Sequence, residues 1–284
     1  MRTLIGIWRL FLLFLLTIVI FIAAVGLLPI MGPQTRAWLI RKLAPLVPRA
    51  LGMKVTVKGR IPDVSALTGK RTGTPGYLVS ANHISFLDIF LLDSILPVRF
   101  IAKKEIGAWP IFGTITTHVG TIYIDRSRRR AVLEVAEAMA SAMREGANVL
   151  FFPEGTTGSG DALLPFHANL FAAVGPEGIA DGRAEVLPVT IRYLQDGHTS
   201  TIPSYAHCSL WTVLKRVVFS RGLGAEVCVL DPIPTKGRDR RELSLEVSAV
   251  MAAALGWPDA TAENERKRRE RLEAAGVREV EPQK

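Results

Sequence analysis

Three features of the 284-residue chain predict an α/β fold, a mostly parallel sheet flanked by helices, preceded by an N-terminal membrane-anchoring helical segment. From residue 53 onward, short apolar runs alternate with longer amphipathic or apolar stretches, the pattern of strands joined by crossover helices. Polar residues able to do chemistry fall just after several of those runs. Before them, residues 10–34 carry no charge at all, and 10–28 are almost wholly apolar.

That first segment is long enough to span, since a bilayer core of about 30 Å takes about 20 helical residues. A signal peptide is shorter, and Ala23-Ala24-Val25-Gly26 is not a clean small-x-small cleavage site. Arg2 and Arg9 precede the segment, whereas Arg36, Arg41, Lys42 and Arg49 follow it. The heavier basic flank places the following domain in the cytoplasm, on an inner membrane. Residues 38–51 mix apolar with basic side chains and are interrupted by Pro45 and Pro48, which reads as a broken interfacial helix. Whether the first helix crosses the bilayer or turns back with the second is left open. The expected division is an anchor at 1–52, a catalytic domain at 53–258 and a charged tail at 259–284.

Within the domain, strands are expected at 54–57, 77–80, 99–102, 121–124, 148–152, 186–193 and 226–230. Helices are expected at 86–96, 109–119, 131–144, 209–219 and 242–255, and a glycine-rich loop at 68–76. Residues 263–273 form a dense mixed-charge run that reads as a solvated helix or frayed tail. Hydrophobic residues make up 49% of the chain, yet its formal net charge is +9. An apolar, basic chain suits a membrane surface with anionic lipids. No zinc-finger, basic-zipper or RNA-binding aromatic signature supports a nucleic-acid partner. Cys208 and Cys228 have neither metal-ligand nor redox spacing and read as apolar fillers.

The chemistry centres on Asn82-His83-Ile84-Ser85-Phe86-Leu87-Asp88. His83 falls at a strand-to-helix turn and Asp88 in the first turn of the helix. Helical side chains lean toward the N-terminus, so Asp88 points back at His83. A carboxylate there can accept one imidazole N–H and leave the other nitrogen free as a base. Ser85-x-x-Asp88 also fits a helix-capping signature, and a histidine near a strand end is often structural. Further along, Asp125-Arg126 follow one strand, and Pro153-Glu154-Gly155-Thr156-Thr157 follow another. Glu154 could offer its carboxylate to substrate hydroxyls, while Gly155 lets backbone approach a ligand. Each group alone also fits an ordinary turn or solvated run. Together, at successive strand ends of a parallel sheet, they mark a site.

Asn82-His83-x4-Asp88 is similar to the H-x4-D motif of the glycerolipid acyltransferases, which include bacterial 1-acylglycerol-3-phosphate acyltransferases. The run from Lys103-Lys104 to Pro110-Ile111-Phe112-Gly113 resembles that family's second block. Gly120-Thr121-Ile122-Tyr123-Ile124-Asp125-Arg126 resembles the strand that ends in its substrate-binding arginine. Phe152-Pro153-Glu154-Gly155-Thr156 and Leu187-Pro188-Val189 match two further blocks, all in order between about Gly76 and Tyr193. The resemblance implies that His83 is the general base, oriented by Asp88. It implies that Arg126, with Lys103 or Lys104, holds an anionic head group while Glu154, Gly155 and Thr156 position it. It also implies a lysolipid acceptor and an acyl-CoA or acyl carrier protein donor. A thioester is already activated, so no cofactor and no metal are expected.

One departure stands out. The family often has Arg after Glu-Gly-Thr, where this chain has Thr157, then Gly158-Ser159-Gly160-Asp161. That resembles the relatives that acylate lyso-ornithine lipid, and Asp161 could pair with an ammonium head group. Lysophosphatidate is kept as first acceptor because it is the commoner activity. Of other classes, a serine esterase would need a G-x-S-x-G elbow, and a nucleotide-dependent transferase a P-loop; the chain has neither. A non-catalytic lipid-binding protein would have no need of the His83–Asp88 pair.

Overall fold

A computed structural model describes residues 2–62, 75–125, 131–175, 178–179 and 183–274. Among the described residues nine strands form one sheet. They are β1 (Lys54–Gly59), β2 (Leu78–Ala81), β3 (Arg99–Lys103), β4 (Ile122–Ile124), β5 (Val149–Phe151), β6 (Glu185–Gln195), β7 (His198–Thr199), β8 (Leu223–Val229) and β9 (Ile233–Pro234). The main path runs β1-β8-β6-β2-β5-β3-β4, with β7 and β9 pairing onto β6. From β6 through β2, β5 and β3 to β4 every pairing is parallel. β8 runs antiparallel to β6 and parallel to β1, so the sheet is mixed at one side. The predicted α/β architecture with a mostly parallel sheet is therefore what the chain adopts.

Ten α-helices accompany the sheet among the described residues: α1 (Arg2–Ile22), α2 (Pro33–Leu43), α3 (Leu46–Ala50), α4 (Leu87–Ile95), α5 (Lys104–Gly107), α6 (Phe112–His118), α7 (Ala131–Arg144), α8 (Leu210–Phe219), α9 (Arg240–Leu255) and α10 (Ala260–Ala274). The period-two alternation of side chains sorts each strand onto two cores. Val79, Ala81, Leu150, Leu187 and Val189 pack with α4, α3 and α8 on one face. Leu78, Val149, Phe151 and Val186 pack with α7, α9 and the helical turn Ala168–Val174 on the other. Burial on both faces explains why the central strands read as unbroken apolar runs.

Two expectations change in detail. The helix expected at 109–119 is shorter, α6 at Phe112–His118, because Ile111 just before it has a φ of 64° that no right-handed helix accommodates; a separate short helix, α5, precedes it. The helix α1 is no isolated rod: Leu10, Leu13, Leu16 and Ile20 pack on the core beside the sheet. Arg9 donates to the carbonyls of Val218 (3.0 Å) and Ser220 (2.6 Å), tying α1 to the C-terminal end of α8. At the other end, Asp239 and Glu242 close a capping box on α9. Asp259 then accepts from Ser248 Oγ and from Thr261 N, which seats the start of α10 on α9.

Candidate active site

β2 delivers His83 to the carboxyl edge of the sheet, and Asn82 fixes the exit. The Asn82 side chain accepts from Ile191 N at 2.7 Å and donates to Ile191 O at 2.9 Å. It thereby prolongs the β2–β6 ladder by one side chain past the strand's end. The chain then turns into α4, where Asp88 is wholly buried. His83 Nδ1 lies 2.8 Å from Asp88 Oδ2, and the same oxygen accepts from Ile84 N (2.7 Å) and Ser85 N (2.9 Å). Asp88 Oδ1 accepts from the Tyr193 hydroxyl at 2.7 Å. Four donors thus satisfy a buried carboxylate, which could not stay charged in the core without them. Because the carboxylate only accepts, the imidazole hydrogen sits on Nδ1 and Nε2 keeps its lone pair.

The ring is held from the side as well. Phe152 stacks on His83 with centroids 3.9 Å apart and planes 12° from parallel. Phe152 leads from β5 into Pro153-Glu154-Gly155, where Gly155 adopts φ 69°, a left-handed turn that favours glycine. Gly158 N donates to His83 O at 2.7 Å, and Ser204 Oγ donates to Gly158 O at 2.9 Å. Tyr205 N donates to Ile84 O at 2.9 Å. Three loops, those after β2, β5 and β7, are thereby stitched together around one imidazole.

Glu154 has a different place from the one expected. Its carboxylate, expected to face substrate hydroxyls, is only 4% exposed. Oε1 accepts from His83 N at 2.8 Å and Oε2 from Leu164 N at 3.0 Å. Both oxygens are spent on backbone, so Glu154 holds the His83 turn against its own loop. Burial raises its pKa to about 7, against the lowering effect of the two backbone bonds and with a further rise from Asp88's charge.

Of the remaining predicted residues, those the structure describes lie on the same edge. Thr156 is exposed on the loop after β5, and Thr157 beside it is half-buried. Lys103 ends β3 opposite Ile124 of β4, and Lys104 Nζ is 3.8 Å from Asp125 Oδ2. The lysines stand two strands from His83, roughly 10 Å across the sheet. Arg126 lies outside the described residues. Tyr193 and the 200–208 loop are what sequence reasoning missed. The one available signal was a hydroxyl-bearing ring at a buried position of β6.

A parallel sheet with a His–Asp pair at its carboxyl edge is an arrangement in which the imidazole can serve as a base. Comparisons with known proteins make this specific. Residues 54–192 match the family model described as Acyltransferase. A 1-acyl-sn-glycerol-3-phosphate acyltransferase of Neisseria gonorrhoeae is 41% identical over 183 residues, 62% of this chain and 70% of that protein. A lyso-ornithine lipid O-acyltransferase of Pseudomonas aeruginosa is 33% identical over 228 residues, 80% of each chain. Among solved structures, the 1-acyl-sn-glycerophosphate acyltransferase of Thermotoga maritima shares the fold. Its TM-score is 0.63 at 20% identity, with 90% of this chain and 97% of that one covered. The chain belongs to the acyltransferase family of 1-acyl-sn-glycerol-3-phosphate and related lysolipid enzymes, and it is an acyltransferase.

Proposed function

We propose that the protein moves a fatty acyl chain from a thioester, carried by coenzyme A or acyl carrier protein, to the free hydroxyl of a lysolipid. The first acceptor is 1-acyl-sn-glycerol-3-phosphate, giving phosphatidic acid. The observation that carries this reading is His83 with Nδ1 committed to Asp88 and Nε2 free at the sheet edge. Nε2 takes the proton of the acceptor hydroxyl as its oxygen attacks the thioester carbonyl. The tetrahedral intermediate collapses, the C–S bond breaks, and the leaving sulfur receives the proton from the imidazolium. Asp88 stabilises that imidazolium throughout, and a positioned base of this kind contributes about 10²–10⁴-fold. Arg126 with Lys103 or Lys104 holds the head-group charge. The thioester supplies the activation, so the reaction calls for neither metal nor cofactor. The apolar helix α1, long and apolar enough to cross a membrane, keeps the enzyme where lysolipid and product reside, on the cytoplasmic face of an inner membrane.

Position 157 favours a second acceptor, lyso-ornithine lipid. Thr157 supplies no guanidinium for a phosphate, and Asp161, exposed on the same loop, offers a carboxylate to an ammonium. Both readings are tested by incubating membranes with labelled acyl thioester and a panel of lysolipids. Wild type should incorporate label into a lysolipid, while His83→Ala should fall at least about a hundredfold with the protein still folded. Release of free acid alone would mean hydrolysis and overturn the transfer reading. Thr157→Arg should spare or improve kcat/KM for lysophosphatidate; a wild-type preference for lyso-ornithine lipid that drops in this variant selects the second acceptor.

A further inference from the structure

Outside the N-terminal segment (α1 to α3), four Phe and Trp side chains are exposed among the described residues: Trp109, Phe112, Trp211 and Phe219. All four lie on or beside α6 and α8, and both of these helices touch the N-terminal apolar segment. α8 packs on α1; α6 packs on α1 and on the turn Ala23–Leu27 that prolongs it. An unrelated scatter of surface aromatics would not collect on two helices flanking the apolar one.

The 109–112 tip is moreover held out by strain. Phe112 N donates to Pro110 O at 2.6 Å across Ile111, whose φ of 64° and ψ of −62° form a γ-turn of the unfavourable hand. A β-branched residue in that conformation is an outlier that glycine would relieve. The result is a point on which Trp109, Ile111 and Phe112 are 45%, 46% and 45% exposed. Lys103 and Lys104, also exposed, stand just before it.

We propose that Trp109, Ile111 and Phe112 form a second membrane-inserting tip, carried by the catalytic domain and entering an anionic bilayer beside the free face of α1. This goes beyond the acyl-transfer reading and rests only on α1 lying in the membrane. One side of α1 is packed on protein, while Trp8, Phe11, Phe14 and Ile18 on its other side remain exposed. The tip adjoins α1 itself, since α6, which begins at Phe112, packs on α1 and on the turn Ala23–Leu27 that prolongs it. Its apolar side chains suit the headgroup–acyl boundary, about 5–10 Å deep, and the preceding lysines suit anionic head groups. Because the tip follows β3, whose carboxyl end borders the site, its insertion sets how far the imidazole stands from the lipid surface.

The test uses the full chain in vesicles of phosphatidylcholine and phosphatidylglycerol. In a Cys208→Ser, Cys228→Ser background, an environment-sensitive fluorophore is attached at Ile111→Cys, Phe11→Cys or Leu133→Cys. Leu133 is an exposed residue of α7, across the sheet from α1. Labels at 11 and 111 should shift to the blue and be quenched by lipid-borne nitroxides, while the label at 133 stays water-like. Quenching at 11 with none at 111 overturns the tip and leaves the placement of α1 standing. No quenching at either removes both. Independently, Ile111→Gly should raise Tm in detergent, and with Trp109→Ser and Phe112→Ser should weaken vesicle partition about tenfold or more. A fall in Tm for Ile111→Gly would mean that Ile111 packs on protein, and would overturn the proposal.

Discussion

Asp88 is the residue on which the site turns, because its two oxygens serve different masters. Oδ2 faces the imidazole and the α4 entrance, whereas Oδ1 is met, among the described residues, only by Tyr193, 105 positions away in the chain. Burial, then Asp88's charge, push the Tyr193 phenol well above its usual range, so it stays a donor across the working pH. Tyr193→Phe keeps the ring and removes the donor, leaving half of a buried carboxylate unmet at a cost of about 1–3 kcal/mol. The expected outcome is a kcat lower by roughly tenfold or more with KM for either substrate little changed, since Tyr193 acts through Asp88. A variant that changed KM instead, at constant kcat, would place Tyr193 against substrate. His83 and Asp88 were legible because they are five residues apart, within reach of a motif and of helix geometry. Tyr193 and Ser204 were not, because only the β2–β6 pairing and the following loop bring them to the site. Glu154 was legible as a site residue, but its role as a backbone clamp was not. A chain of letters shows a carboxylate after a strand without showing which N–H groups fold onto it.

At the scale of elements, the strand-end loops carry the precision, and Glu154 couples two of them. Its value in the folded protein, about 7, stands above the 4.5 of an ordinary glutamate. Between about pH 4.5 and 7 the folded chain therefore keeps a proton that the unfolded chain has released. The stability this group contributes is full below that window and is lost as pH rises through 7, on the order of 3 kcal/mol. Glu154→Gln is neutral at every pH, so the wild-type Tm should fall relative to the variant's as pH goes from 5 to 8. Parallel Tm curves would show that Glu154 ionises in the folded state as it does in water. Strands were legible as elements because burial on both faces writes continuous apolar runs. The direction of β8 was not, since parallel and antiparallel neighbours bury the same residue types. The start of α6 was equally hidden: a helix was expected from Trp109, and the turn at Ile111 delays it to Phe112.

For the molecule as a whole, the issue is how an apolar helix can belong both to a membrane and to a folded domain. α1 answers by dividing its circumference. Leu10, Leu13, Leu16 and Ile20 sit on the core that also holds Leu87 and Val213, and the opposite face stays open. Near its start, Gly6 lies flush against the Phe219 ring and Arg9 against the α8 terminus. The uncharged run was legible; its attachment to the domain was not, because the leucines on both faces look alike in sequence. The two halves of this arrangement separate experimentally. Arg9→Met removes two charge-assisted bonds, each worth about 1.5–3 kcal/mol, without touching the open face. It should lower Tm while leaving the protein on membranes in high salt. Deleting residues 1–33 removes both faces, so it should release much of the protein from membranes and also strip apolar cover from the core. Residual binding through the basic, amphipathic α2 and α3 should then be weak and salt-sensitive. If the truncated chain stayed as firmly bound in high salt as the full one, α1 would be a domain helix and not an anchor.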